Sequence, residues 1–217
     1  MQQELFNRDF FKLDLDLTPI KFYFSRGKQE RLQKISSVVD EEFDWISGNS
    51  DPKAVLTFLT SPSVIDEHWN QADMIAAAVV TLGEKPENRV SELFDNGKME
   101  RAFVLDTLAS GLVHFCAIQV YQNIVTFAEK AQLTYTGRIT PGGADLDFSY
   151  QKKLLDFVDI ASIGVFVTSG LMMKPVKSSS FLTLLGKNIN SNLGCNHCRN
   201  CDKIKKCEYG KFGIFIQ

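Results

Sequence analysis

Several things are scarce or missing in this sequence of 217 residues. No window holds the run of about 18 uncharged apolar residues that a membrane span needs. Residues 1–11 carry Glu4, Arg8 and Asp9 and lack the apolar block of a secretory leader, so the expected location is the cytoplasm, with no membrane contact. An excess of one charge is missing too. The 24 Lys and Arg nearly balance the 26 Asp and Glu, for a net charge of −2, which gives no overall electrostatic footprint for nucleic acid. P-loop, H-E-x-x-H and G-x-S-x-G patterns are absent, and with them the support for familiar nucleotide and hydrolase chemistry. What remains is 44% hydrophobic and 11% aromatic, enough to bury a core in one large domain or two small ones.

The five cysteines are unevenly spread. Cys116 stands alone in an apolar helical context, while Cys195, Cys198, Cys201 and Cys207 follow the pattern C-x2-C-x2-C-x5-C. A disulfide scaffold spreads its cysteines to staple distant loops; four thiolates converging on one point are what a metal or cluster requires. From Lys187 onward six cations face two anions, a local charge of +4 that favours thiolates. The spacing is compatible with a [4Fe–4S] cluster, although the usual fourth step is shorter and followed by Pro where this chain has Glu208. It is also compatible with zinc, held by four thiolates or by three with His197, and reduced cysteines without metal are the third reading.

Hydrophobic periodicity outlines the elements. Residues 12–17 alternate Lys-Leu-Asp-Leu-Asp-Leu, and Ile20, Phe22 and Phe24 continue at alternate positions, predicting a half-buried strand or hairpin. Leu32, Ile35, Val38, Val39, Phe43 and Ile46 predict a helix stopped by Gly48. Residues 54–60 read as a short strand, whereas 72–82 are almost uncharged and fit a buried helix or a buried strand equally. Short helices are expected over 87–95 and 150–158, and a long central one over 99–131, apolar nearly all round. Further strands are expected over 162–167, 178–185 and, on the parity of Phe212, Ile214 and Ile216, at the tail. The predicted fold class is α+β, a largely antiparallel or mixed sheet backed by helices. It divides into an N-terminal strand and helix (1–50), a main domain (51–194) and a cysteine-rich segment (195–217).

Two segments carry the remaining chemistry. In Arg138-Ile139-Thr140-Pro141-Gly142-Gly143 an arginine, able to grip a carboxylate with its planar fork, precedes a glycine pair that lets backbone approach a ligand; an ordinary inter-helix turn with a surface Arg is the plainer reading. His114 beside Cys116 reads as core, His68 as a solvated helix start, Asp145, Asp147, Asp156 and Asp159 as a solvated face, and Met172-Met173 as buried filler or a partner contact.

Taken together, R-x-x-P-G at 138–142, Q-K-K-L-L at 151–155, I-G-V at 163–165 and T-S-x-x-M-M-x-P-x-K-S at 168–178 resemble the reactivation domain of cobalamin-dependent methionine synthase. Val80-Thr81-Leu82-Gly83 and the helix from Met99 fit the same order, so the likeness spans roughly residues 60–207, and it is closest to stand-alone bacterial members ending in a cysteine segment. The resemblance implies a domain that binds S-adenosylmethionine and docks on a cobalamin module, where oxidised cob(II)alamin is reduced and remethylated. It assigns Arg138 to the ligand's carboxylate, and Pro141 and Gly142 to the groove wall; Gly143 stands where methionine synthases carry Tyr. The chain lacks D-x-H-x-x-G, the cobalamin lower-ligand signature, so the resemblance implies an accessory activation component. It would need a separate corrinoid methyltransferase as partner and an electron donor, with a cluster at the four cysteines passing electrons on. A non-catalytic corrinoid-protein interaction module with a structural zinc is the alternative, and a fold kept for a different substrate is the third.

Overall fold

The computed structural model describes residues 2–26, 28–60, 69–143 and 145–195. The elements run β1 (Gln2–Phe6), α1 (Thr18–Ser25), α2 (Gln29–Asn49), β2 (Lys53–Leu59), β3 (Met74–Thr81), α3 (Lys85–Asp95), α4 (Met99–Lys130), β4 (Thr134–Tyr135), α5 (Tyr150–Leu155), β5 (Phe166–Val167), β6 (Met173–Lys174) and β7 (Ser178–Gly186). Five strands form one antiparallel sheet in the order β1-β2-β3-β7-β4, and β5 and β6 form a small hairpin. The fold is therefore α+β, as the sequence predicts.

The sheet is buried on both faces. Ala76, Ala78, Val80 and Phe181 face the long helix α4, with Leu105, Leu112 and Tyr121 among their neighbours in the core. Ile75, Ala77, Val79, Leu182 and Leu184 face the opposite side, which Leu154, Leu155, Val158, Ile163 and Val165 cover. Double burial is why residues 72–82 have no usable period: a strand covered on both faces is apolar at every position. Met74–Thr81 of this stretch form β3, paired with β2 at Val55–Val79 and with β7 at Ala78–Phe181.

Helix α4 is the central element. Its sequence contains an 18-residue stretch apolar enough to cross a membrane although polar residues interrupt it, but most of that stretch is buried inside the protein. Two ties fix it to its neighbours. Buried Glu42 of α2 contacts Arg101 Nε, whose Nη2 lies 2.9 Å from Glu41. Lys177, 8% exposed just before β7, places Nζ 2.7 Å from Asp106 Oδ1 and 2.9 Å from Ser110 Oγ.

The N-terminal expectation is corrected in one respect. The opening strand is β1, paired with β2, and not a hairpin over 12–24. Residues 11–17 do alternate in burial, but they lie along α4 without a strand partner; Lys12 N–H donates to Gln119 Oε1 and Gln119 Nε2 donates to Lys12 O, both at 2.9 Å. Period two records an extended chain, and a side chain here supplies the partner that a ladder otherwise would. From Thr18 the chain is helical, with Pro19 in the first turn, where its missing N–H costs nothing. The strand expected over 162–167 is also shorter: 160–163 form a 3-10 turn and only Phe166–Val167 pair. Helix α2 runs through Gly48 to Asn49. The edge strand expected at 212–216 lies outside the described residues.

Candidate functional site

The Arg138 segment is held on both sides by backbone. Ile139 exchanges hydrogen bonds with Leu182 of β7 at 2.8 and 2.9 Å, and Arg138 exchanges them with Cys195 at 3.2 and 2.9 Å. Gly137 N–H adds a bond to Leu193 O at 2.8 Å. The chain around Gly194 therefore lies against residues 137–138, and only glycine fits: φ is +77°, and a Cβ there would sit 2.7 Å from the carbonyl carbon and oxygen of Gly137. Asp145 Oδ2 accepts from Gly194 N–H at 3.2 Å, so this carboxylate closes the same junction.

Alternation sends the Arg138 side chain to the α4 side of the sheet, while Ile139 joins the opposite core. Arg138 is 8% exposed; its guanidinium carbon lies 5.9 Å from the centre of the Phe181 ring, and Nη2 is 3.4 Å from His114 Nε2. Burial, reinforced by the Arg138 charge, pushes the His114 pKa down to about 3. The imidazole is thus neutral at working pH and its Nε2 faces the guanidinium as an acceptor. Below this pair, Tyr121 Oη donates to Thr136 O at 3.0 Å and Leu184 N–H donates to Thr136 Oγ1 at 3.0 Å, fixing the strand that carries Arg138.

Pro141 and Gly142 occupy the central positions of a tight turn closed by Gly143 N–H to Thr140 O at 2.9 Å. Pro141 is buried, and Gly142 has φ +80°, the combination a type II turn demands. Gly142 N–H donates to Leu146 O, and Phe148 lies 3.4 Å from where a Cβ at 142 would stand. A Cβ at Gly143 would meet Thr140 O at 2.8 Å, so the bulky residue found there in methionine synthases would require a different turn.

Other motif residues act as ties. Ser180 Oγ donates to buried Gln151 Oε1 at 3.0 Å, joining α5 to β7. Ser178 Oγ lies 2.7 Å from Pro175 O and 2.9 Å from Thr81 Oγ1. Met173 packs on the core and Met172 is exposed. Asp147 accepts from Ser149 N–H, and Asp156 pairs with Lys152 on the surface. Cys116 is buried, and burial pushes its thiol up to about 12, out of reach of thiolate chemistry. Of the cysteine motif, Cys195 is partly buried beside Arg138 and not in a disulfide, while Cys198, Cys201, Cys207 and His197 lie outside the described residues, as does His68. Among the described residues no three His, Cys, Asp or Glu side chains group as metal ligands.

Sequence reading misses the pairing of His114 with Arg138. Nothing in residues 24 apart signals that a strand beyond the end of α4 returns an arginine to its middle.

No family model and no curated protein matches the sequence. Among solved structures, the crystal structure of the MetH reactivation domain bound to AdoHcy matches with a TM-score of 0.63 and 14% identity, over 88% of this chain and 80% of that one. The class of fold is thus defined: the chain has the mixed helical and antiparallel architecture of the MetH reactivation domain.

Proposed function

We propose that this chain binds an S-adenosyl ligand and serves as the activation component of a separate cobalamin-dependent methyltransferase, such as a methionine synthase that lacks this part. The observation carrying the proposal is the fold shared with a domain that holds AdoHcy, joined to the R-x-x-P-G segment at 138–142. In this reading Arg138 binds the carboxylate of the ligand's amino-acid end, and neutral His114 orients the guanidinium without competing as a cation. The turn at Pro141 and Gly142 shapes the adjoining wall. The partner brings the corrinoid, because the chain has no D-x-H-x-x-G segment.

Cys195, Cys198, Cys201 and Cys207 hold the metal group of this proposal. A [4Fe–4S] cluster there would supply electrons at low potential. Cys195 suits such a role: it is not in a disulfide, and its backbone is pinned to Arg138 by two hydrogen bonds.

Two measurements test the proposal. A thermal shift series with S-adenosylmethionine, AdoHcy, methionine and ATP is expected to raise the melting temperature with the first two alone, since a ligand that binds only the native state stabilises it. Anaerobic purification is expected to give a brown protein, bleached by dithionite, with about four irons per chain. One zinc and no colour would replace electron delivery by a structural metal. No shift with either S-adenosyl compound would overturn the ligand assignment.

A further inference from the structure

A second concavity lies far along α4 from Arg138, at the helix's first turns. It measures about 440 Å³ and is lined by Tyr23 and Phe24 of α1, Arg26 at the end of α1, Arg31 and Ile35 near the start of α2, and Glu100, Phe103 and Thr107 of α4. Its aromatic walls are unusually open to solvent for large apolar residues, with Tyr23 49% and Phe103 57% exposed. The Arg26 and Arg31 side chains have no acidic partner among the described residues, whereas Glu100 faces Lys34 at 3.9 Å. Residues 26–34 contain Arg26, Lys28, Arg31 and Lys34 against Glu30 alone, a local charge of +3 in a chain of net −2. Two of these cations, Lys28 and Arg31, sit at the N-terminal end of α2, where positive charge opposes the helix dipole.

We infer that this concavity binds a planar, anionic small molecule of mononucleotide size. The rings of Tyr23, Phe24 and Phe103 offer flat apolar surface to a base. Arg26 and Arg31 supply the planar forks that fit a phosphate. Glu100 and Thr107 provide acceptors for the N–H groups of a base edge. The volume suits one nucleotide and falls within the range of small-molecule pockets. This inference is independent of the S-adenosyl reading, because none of these residues belongs to the Arg138 region.

Calorimetry or ligand-observed NMR with AMP, GMP, CMP and UMP at millimolar concentration tests it, with adenosine and inorganic phosphate as partial probes. At least one nucleotide is expected to bind more tightly than either partial probe. Arg31→Ala and Phe103→Ala, both on the surface, are expected to weaken that binding at least tenfold with unchanged circular dichroism. Arg138→Ala, and saturating AdoHcy, are expected to leave it intact, which separates this site from the proposed S-adenosyl groove. Silence from all four nucleotides overturns the inference. So does binding that ignores Arg31→Ala and Phe103→Ala, or that disappears in Arg138→Ala.

Discussion

His114 is the residue whose protonation the fold opposes most clearly. Its folded pKa of about 3 lies below the ordinary value of 6.5, so the unfolded chain takes up a proton that the folded chain refuses. The resulting stability is fully present above pH 6.5 and is lost as pH falls toward 3, at up to about 1.4 kcal/mol per pH unit. His114→Gln keeps a neutral side chain of similar length and is expected to flatten this dependence. Urea unfolding of both proteins between pH 7 and pH 5, before most carboxylates protonate, reads the difference; parallel slopes would show that His114 is not held neutral. Gly194 is the second sensitive residue. Gly194→Ala forces a side chain onto the Gly137 carbonyl at positive φ, for an expected loss of about 1–3 kcal/mol. Hydrogen exchange at the amides of Arg138 and Cys195 should quicken in that variant, and unchanged protection would mean the junction is looser than described.

At the scale of elements, one buried carboxylate marks the contact between α2 and α4. Glu42 is 1% exposed, and Arg101→Met would leave its carboxylate buried without a countercharge, at a cost of about 3 kcal/mol. The double change Glu42→Met with Arg101→Met removes both charges and is expected to regain most of that loss, as chemical denaturation would show; a double variant as weak as the single one would mean the pair itself stabilises. The elements also show how far sequence alone reaches. Helices α2, α3 and α4 and strands β2 and β7 were legible from spacing, because each has a clear apolar face or a bounded apolar run. Residues 11–17 were half legible: their period of two correctly reports extended chain, but periodicity records only which side chains are buried, and the hydrogen-bond partner is Gln119 of α4. Thr18–Ser25 was misread because Ile20, Phe22 and Phe24 imitate alternation, while Phe22 and Tyr23 are in fact exposed.

At the scale of the molecule, a sheet buried on both faces gives Arg138 its setting. The segment after β4, bridged to β7 at Ile139, carries it, β7 contributes Phe181, α4 contributes His114, and the chain before the cysteine motif closes the far side. The arginine and the glycine turn are legible in the sequence as candidates, but their surroundings are not. The helix face, the strand parity and the return at Gly194 meet only through long-range packing. The architecture is that of a domain seen with AdoHcy bound, and a related ligand held by Arg138 is what we propose for this chain. Isothermal titration with AdoHcy, on the parent and on Arg138→Ala, tests it most directly. Saturable one-to-one binding by the parent is expected, with at least a tenfold loss in the variant, equivalent to about 1.4 kcal/mol. Equal binding by the two proteins, or none by the parent, would contradict it.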